Sequence, residues 1–207
     1  MYVRNLRKPS ANKNVYKFVS AKNGCTIMCE SSLEYDCCYH LEYSDDVVSY
    51  CSQPKGYKYT FNGVSHSYTP DFYVVYRDGS TGFIEVKPLK MTFEPGFKEI
   101  FRCMQAEAHN LNTQLILVTD RQIRNGIYLE NLKLVNRYSG CIENTCLVEK
   151  VWFMLNQYVS VCVKQLSQAL NISVGDVLAT VFRLVSLGRA KTKLDMKIDE
   201  STLISVA

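Results

Sequence analysis

An α/β sandwich with a smaller helical domain behind it is the architecture predicted by this 207-residue sequence. Three observations carry that prediction. Two consecutive hairpin patterns with strand-like residues are bracketed by helical periodicity on both sides. A short apolar run, Gln114–Thr119, follows the second helix and reads as a strand in the middle of a sheet covered on both faces. From about Ile142 the pattern changes to three helices and two terminal strands, the order of a winged helix-turn-helix. The expected division is a basic N-terminal arm over 1–29, an α/β domain over 30–141 and the winged unit over 142–207.

In chain order, Arg4, Arg7, Lys8, Lys13, Lys17 and Lys22 all precede the first acid, Glu30. Such an arm suits a phosphate backbone and equally suits an ordinary solvated terminus. Glu30–Tyr43 reads as a helix, started at Ser31-Ser32 and striped by Leu33, Cys37 and Leu41. Val47–Cys51 is a short strand. Asn62-Gly63 turns Tyr57–Phe61 back into Val64–Tyr68, and Asp78-Gly79 turns Asp71–Tyr76 back into Phe83–Val86. Pro88 ends that strand. Glu94–Leu111 is a second helix, with Phe97, Ile100, Phe101, Met104 and Ala108 on one side. In the last third, Cys146–Tyr158 and Val163–Leu170 are helical and Asn171-Ile172 turns the chain. Ser173 caps Val174–Leu187 and Gly188 closes it; Arg189–Leu194 and Thr202–Val206 then read as strands.

Bulk composition narrows the field. The balance of 24 Lys+Arg against 20 Asp+Glu permits nucleic-acid binding without requiring it. Nine cysteines, odd in number and irregularly spaced, fit reduced thiols rather than a secreted disulfide framework. Cys25, Cys29, Cys37, Cys38 and His40 lack the paired-ligand spacing of a zinc site and are expected as buried thiols and a structural histidine. No pair among His40, His66 and His109 has ligand or dyad spacing. Tyr57, Tyr59, Phe61 and Tyr68 read as packed strand aromatics rather than a nucleic-acid groove. With no signal-peptide pattern and no membrane-length apolar run, a soluble cytoplasmic protein is expected.

The chemistry concentrates at Thr69-Pro70-Asp71 and, fourteen positions after the aspartate, Glu85-Val86-Lys87. Two-residue spacing on a strand puts Glu85 and Lys87 on one face. Counting outward from the Asp78-Gly79 turn, Asp71 falls opposite Val86 to within one residue, so all three charged groups meet at one end of a hairpin. Glu34, on the upstream helix, approaches from behind. Hydrolysing a phosphodiester requires a nucleophilic water and something to absorb charge on the phosphate, and carboxylate-held magnesium supplies both. Asp71 and Glu85, with the Val86 carbonyl and Glu34, form the expected metal shell; Lys87 orients the water, deprotonates it or stabilises developing charge. The competing account of an isolated acid-x-lysine pair, a solvated strand face, is weakened by the proline-preceded aspartate and the helix acid.

Glu30-Ser-Ser-Leu-Glu-Tyr-Asp, Leu41-Glu-Tyr-Ser-Asp-Asp-Val-Val, Gln53-Pro, Tyr68-Thr-Pro-Asp-Phe and Ile84-Glu-Val-Lys-Pro together resemble the TnsA family, in order and in spacing, from about Glu30 to Pro88. The resemblance implies a restriction-endonuclease-like PD-(D/E)XK fold, a mixed sheet flanked by helices, with a C-terminal winged helix-turn-helix. It also implies catalytic residues Glu34, Asp71, Glu85 and Lys87 and a Mg2+ cofactor, with Mn2+ as substitute. Some relatives carry glutamine at the Glu85 position, and Glu30, one turn before Glu34, is the rival for the helix role. The implied activity is cutting of the non-transferred strand near the 5′ ends of a transposon. Its implied partners are transposon-end DNA, a DDE transposase subunit and an ATP-dependent target-selection regulator.

Two rivals remain at this level: another nuclease of the same fold (a restriction enzyme or junction resolvase) and a non-catalytic DNA-binding adaptor. In the last domain, Val174–Leu187 offers Arg183 and little else to base edges, while Asp176 repels phosphate; Arg189, Lys191, Lys193 and Lys197 lie on the expected wing. A protein-docking module, with any DNA contact made by the wing through phosphates, is the expectation.

Overall fold

A computed structural model of the chain describes residues 14–140 and 145–207. Arg4, Arg7, Lys8 and Lys13 of the expected arm, and the change of texture at Ile142, lie outside the described residues. Two compact units divide the chain, one ending at Asn125 and the other beginning at Gly126.

The first unit opens with a hairpin, β1 (Tyr16–Ser20) and β2 (Cys25–Cys29), in antiparallel register from Tyr16↔Cys29 to Ser20↔Cys25. This corrects the expectation of a free arm reaching residue 29. The inward alternation of Phe18, Ser20, Ile27 and Cys29 is obscured in the sequence by the mixed intervening residues Lys17, Val19, Thr26 and Met28. Lys22 does not face outward to a phosphate backbone: its ammonium donates to the carbonyls of Leu41 (2.9 Å), Ser44 (2.7 Å) and Val47 (2.7 Å). It thereby closes the C-terminal end of α1 (Ser32–Tyr43), whose last carbonyls have no helical partner. At the other end Ser31 caps α1 by accepting from the Glu34 amide at 3.1 Å.

A four-stranded mixed sheet follows, in the order β3 (Val47–Ser52), β6 (Phe72–Tyr76), β7 (Thr81–Lys87), β8 (Gln114–Thr119). The first three strands are antiparallel and β8 runs parallel to β7. The hairpin of β4 (Tyr57–Phe61) and β5 (Val64–Tyr68) stands apart as its own ribbon, turned by Asn62 and Gly63, both at positive φ. Strand β8 is an edge strand among the described residues, not the central one its composition predicts. Its apolar residues answer to the helix α2 (Phe97–Asn110) packed over it, and the strand buried almost end to end is β7. Helix α2 starts three residues later than expected, because Pro95 and the left-handed Gly96 (φ 79°) precede it. Phe83 meets Phe101 and Ala108 of α2 and Leu115 of β8 in one apolar cluster, which Tyr57, Tyr68, Tyr73, Phe97, Met104 and Leu117 extend. A short helix α3 (Asp120–Ile123) ends the unit; the His40 ring donates from Nε2 to the Ile123 carbonyl at 2.8 Å.

The second unit takes in α4 (Gly126–Ser139), ahead of the boundary expected at residue 142. Tyr138 stacks on Phe182 at 5.5 Å, and Asn131 donates to the Leu194 and Met196 carbonyls. Then come α5 (Thr145–Leu155), β9 (Val161–Cys162), α6 (Val163–Leu170), α7 (Val174–Ser186), β10 (Ala190–Thr192) and β11 (Leu203–Val206), with a three-stranded sheet in the order β10-β11-β9. Val151, Leu155, Val163, Leu166, Val177, Val181, Leu184 and Ile204 form the core. No single helix among the described residues is long and apolar enough to cross a membrane.

Two stability predictions follow from the first unit. Lys22→Ala leaves three carbonyls without their donor and is expected to cost about 1–3 kcal/mol; an unchanged urea midpoint would remove Lys22 from the helix terminus. Burial holds the His40 pKa below its ordinary value, against the Ile123 hydrogen bond and the Asp36 charge. The folded chain thus resists a proton that the unfolded chain accepts. The histidine's contribution is whole above about pH 6.5 and is lost as pH falls through the lower folded value. Urea titrations of wild type and His40→Gln across that interval are expected to diverge toward low pH.

Candidate active site

Pairing between β6 and β7 sets the site. Phe72 lies opposite Ile84, so Asp71, one residue earlier, stands at the height of Glu85 and Val86. The Asp71 carboxylate closes that end by accepting the Val86 amide at 2.7 Å. Asp71 is anchored from behind as well: the Gln53 amide donates to its carbonyl at 2.8 Å, with Gln53 held at φ 47°. A left-handed non-glycine residue beside an acidic pair is the strained backbone expected where a site over-determines its own geometry.

Alternation along β7 puts Phe83, Glu85 and Lys87 on one face, the first in the apolar cluster and the other two at its open end. Lys87 donates to Glu85 Oε1 at 2.6 Å and the Tyr68 hydroxyl to Oε2 at 2.7 Å. Glu34, in the first turn of α1, accepts the Glu30 amide (2.9 Å) at one oxygen and the Ser31 hydroxyl (2.8 Å) at the other. All four residues expected from the sequence, with Val86, line one cleft of about 680 Å³, which Glu30, Pro88 and Met91 also border. Both candidates for the helix acid therefore face it; Glu34 is the buried one.

Electrostatics mark these groups as one cluster. Burial, then the Glu85 and Glu34 carboxylates, push the Asp71 pKa well above its ordinary range, against the Val86 amide and Lys87. Burial likewise raises Glu34, opposed by its hydrogen bonds and reinforced by Glu30 and Glu85. Burial alone would lower Lys87, but Glu85 first, then Asp71 and Glu34, outweigh it and hold the ammonium above its ordinary value. The Tyr68 phenol is pushed up by burial and by Glu85.

Among the described residues no group of three or more His, Cys, Asp and Glu side chains is already set to hold a metal ion. The donor chemistry nonetheless fits a hard divalent cation. The Asp71 and Glu85 carboxylates gather beside Val86 at one strand end with Glu34 close enough to repel them, and a bound cation would relieve that repulsion. Of the cysteines expected to be buried, Cys29 and Cys38 are, with their sulfurs 3.5 Å apart, and so is Cys37, whereas Cys25 is exposed.

Three supporting residues escaped the sequence reading. Asp120 accepts the Leu89 amide at 2.6 Å, fixing the segment that leaves Lys87. Gly56 has no room for a side chain, because a Cβ there would stand 2.4 Å from the Tyr68 carbonyl. Tyr68, read as packing, reaches the Glu85 carboxylate on β7. Pro54 and Gly56, so close together ahead of a strand, were the one legible signal of a tight approach.

A mixed sheet flanked by helices, with a proline-preceded aspartate beside an acid-x-lysine strand, fits the restriction-endonuclease-like class. Residues 44–120 match the family described as TnsA-like endonuclease N terminal, which supports a TnsA-family endonuclease. The match spans Asp71, Glu85 and Lys87 and begins after Glu34, whose place rests on the geometry above. Among curated proteins none matches this chain.

Because burial among like charges disfavours the Asp71 carboxylate, Asp71→Asn in chelator-treated protein is expected to raise the thermal midpoint while keeping an acceptor for the Val86 amide. A lowered midpoint would show that the carboxylate is structural.

Proposed function

We propose that this protein is a Mg2+-dependent DNA endonuclease that cuts the non-transferred strand near the 5′ ends of a transposon, beside a DDE transposase subunit. The observation that carries the reading is the convergence of Glu34, Asp71, Glu85 and Lys87 on one cleft within a TnsA-like endonuclease domain. Bound Mg2+, or Mn2+ in its place, supplies Lewis acidity toward the phosphate and lowers the pKa of the attacking water. Asp71 and Glu85, with the Val86 carbonyl, are the residues to hold it, and Glu34 completes the acidic wall. Lys87 brings positive charge to the strand end, where it can donate to a phosphate oxygen as negative charge develops.

The second unit suits a winged helix-turn-helix. Helices α6 and α7 turn through 116° about Asn171, and β10–β11 forms the ribbon, with β9 as third strand. Its role in this reading is to dock a protein, such as the ATP-dependent regulator of target choice. Arg183 donates to the Ser139 carbonyl and Arg189 lies over the Trp152 ring at 4.3 Å, so the two arginines nearest the recognition-helix position are engaged within the unit. Lys191, Lys193 and Lys197 are exposed on or beside the ribbon for phosphate contacts.

The test is strand-resolved cleavage of end-labelled transposon DNA with Mg2+, with and without the transposase, for wild type and Asp71→Ala. Partner-dependent cutting on the 5′ side, reduced on the order of a hundredfold or more in the variant, is the expected result. Equal activity in the variant would sink the site. Preference for branched DNA would mark a resolvase, and cutting alone at a short sequence a restriction enzyme. If neither protein cut while the transposase cleaved its own strand, the adaptor reading would replace this one.

A further inference from the structure

Of the three site carboxylates, Glu85 alone has both oxygens held by side-chain donors, Lys87 on Oε1 and Tyr68 on Oε2. Lys87 shares its strand, so that pair follows from two-residue spacing. Tyr68 comes from a separate ribbon, and considerable structure is arranged to bring it there. It ends β5 and stands three residues before Asp71. Across the ribbon it pairs with Tyr57, whose ring meets it edge-on at 5.2 Å, and Tyr59 meets it edge-on at 6.4 Å. Tyr57 is in turn tied to α2 by its hydroxyl, which donates to the Met104 carbonyl at 3.0 Å. Gly56 lets the chain pass against the Tyr68 carbonyl where any side chain would collide.

Aromatic packing alone accounts for the ring. It does not account for the hydroxyl, which is directed at a buried carboxylate oxygen within the cleft. A glutamate with only Lys87 as partner would be free to swing both oxygens onto the ammonium. A second donor on the far oxygen removes that freedom. Donors that orient a ligating carboxylate in this way govern metal affinity.

We infer that Tyr68 is a positioning residue for the reaction proposed above: its phenol fixes the orientation of Glu85 for the cation by keeping the second oxygen from turning onto Lys87 with the first. The inference rests on the nuclease reading, and the test separates the two. Mn2+ binding to the 207-residue chain, without DNA, is measured by paramagnetic resonance or calorimetry for wild type, Asp71→Ala, Tyr68→Phe, Glu85→Ala and the Tyr68→Phe/Glu85→Ala double variant. Thermal midpoints are recorded alongside. Phenylalanine keeps every ring contact and removes only the donor.

The expected result is Mn2+ affinity about tenfold weaker in Tyr68→Phe, with no further loss when the change is added to Glu85→Ala. The Mg2+ concentration for half-maximal cleavage should rise by a similar factor, with the rate largely recovered at saturating metal. Wild-type affinity in Tyr68→Phe would overturn the inference, as would an equal loss in the Glu85→Ala background, which would assign Tyr68 to packing. If Asp71→Ala abolishes Mn2+ binding while Tyr68→Phe preserves it, only the role of Tyr68 fails. If wild type and Asp71→Ala both fail to bind Mn2+, the metal-dependent reading falls and takes this inference with it.

Discussion

One hydrogen bond organises the first unit around its chemistry: the Val86 amide donating to the Asp71 carboxylate at 2.7 Å. It extends the β6–β7 pairing by a side-chain link just where the backbone ladder ends. It also sets a carboxylate at the height of Glu85 on the neighbouring strand. A one-residue slip in that register would turn Glu85 and Lys87 toward the opposite face and put Ile84 and Val86 in their place. The rest of the unit holds this register from outside. Gln53 grips the Asp71 carbonyl, Asp120 grips the Leu89 amide, and Phe83 sinks into the cluster beneath α2.

That arrangement works against stability. Burying several carboxylates together disfavours their charged forms, and the raised pKa values of Asp71 and Glu34 express it. The chain relieves the strain only in part, by giving every site carboxylate donors of its own. Glu34 has the cap residues, Asp71 has an amide, and Glu85 has Lys87 and Tyr68. A fold selected for stability alone would place apolar side chains there. Clustered acids at the open end of a well-packed strand are instead the pattern of a site that waits for positive charge.

What the sequence revealed and concealed divides along physical lines. The β4–β5 hairpin was legible to the residue because Asn62-Gly63 specifies its own turn and fixes the register. The Glu85–Lys87 face was legible because strand alternation is obligatory. The β1–β2 hairpin was hidden because its inward residues alternate with exposed Lys17, Val19 and Thr26 of mixed character, and because Lys22 buries its ammonium against backbone carbonyls, which composition does not foretell. The edge position of β8 was hidden because a strand beneath a helix and a strand inside a sheet carry the same apolar residues. Tyr68 was hidden because a strand aromatic advertises its ring and not the direction of its hydroxyl.

In the second unit, helix geometry and side-chain commitment point in different directions. Its helices turn through the angle of a helix-turn-helix, yet Arg183 and Arg189 are committed to Ser139 and Trp152 within the unit. An arginine that must read a base edge has to give up such partners, and their loss offsets part of what base contact would contribute. The exposed lysines supply attraction to phosphate without sequence preference. On the proposed reading, a cleaving cleft beside a unit whose arginines are already engaged leaves the choice of where the cut falls to another protein. The same reading accounts for how much of the first unit goes into holding four charged side chains in place.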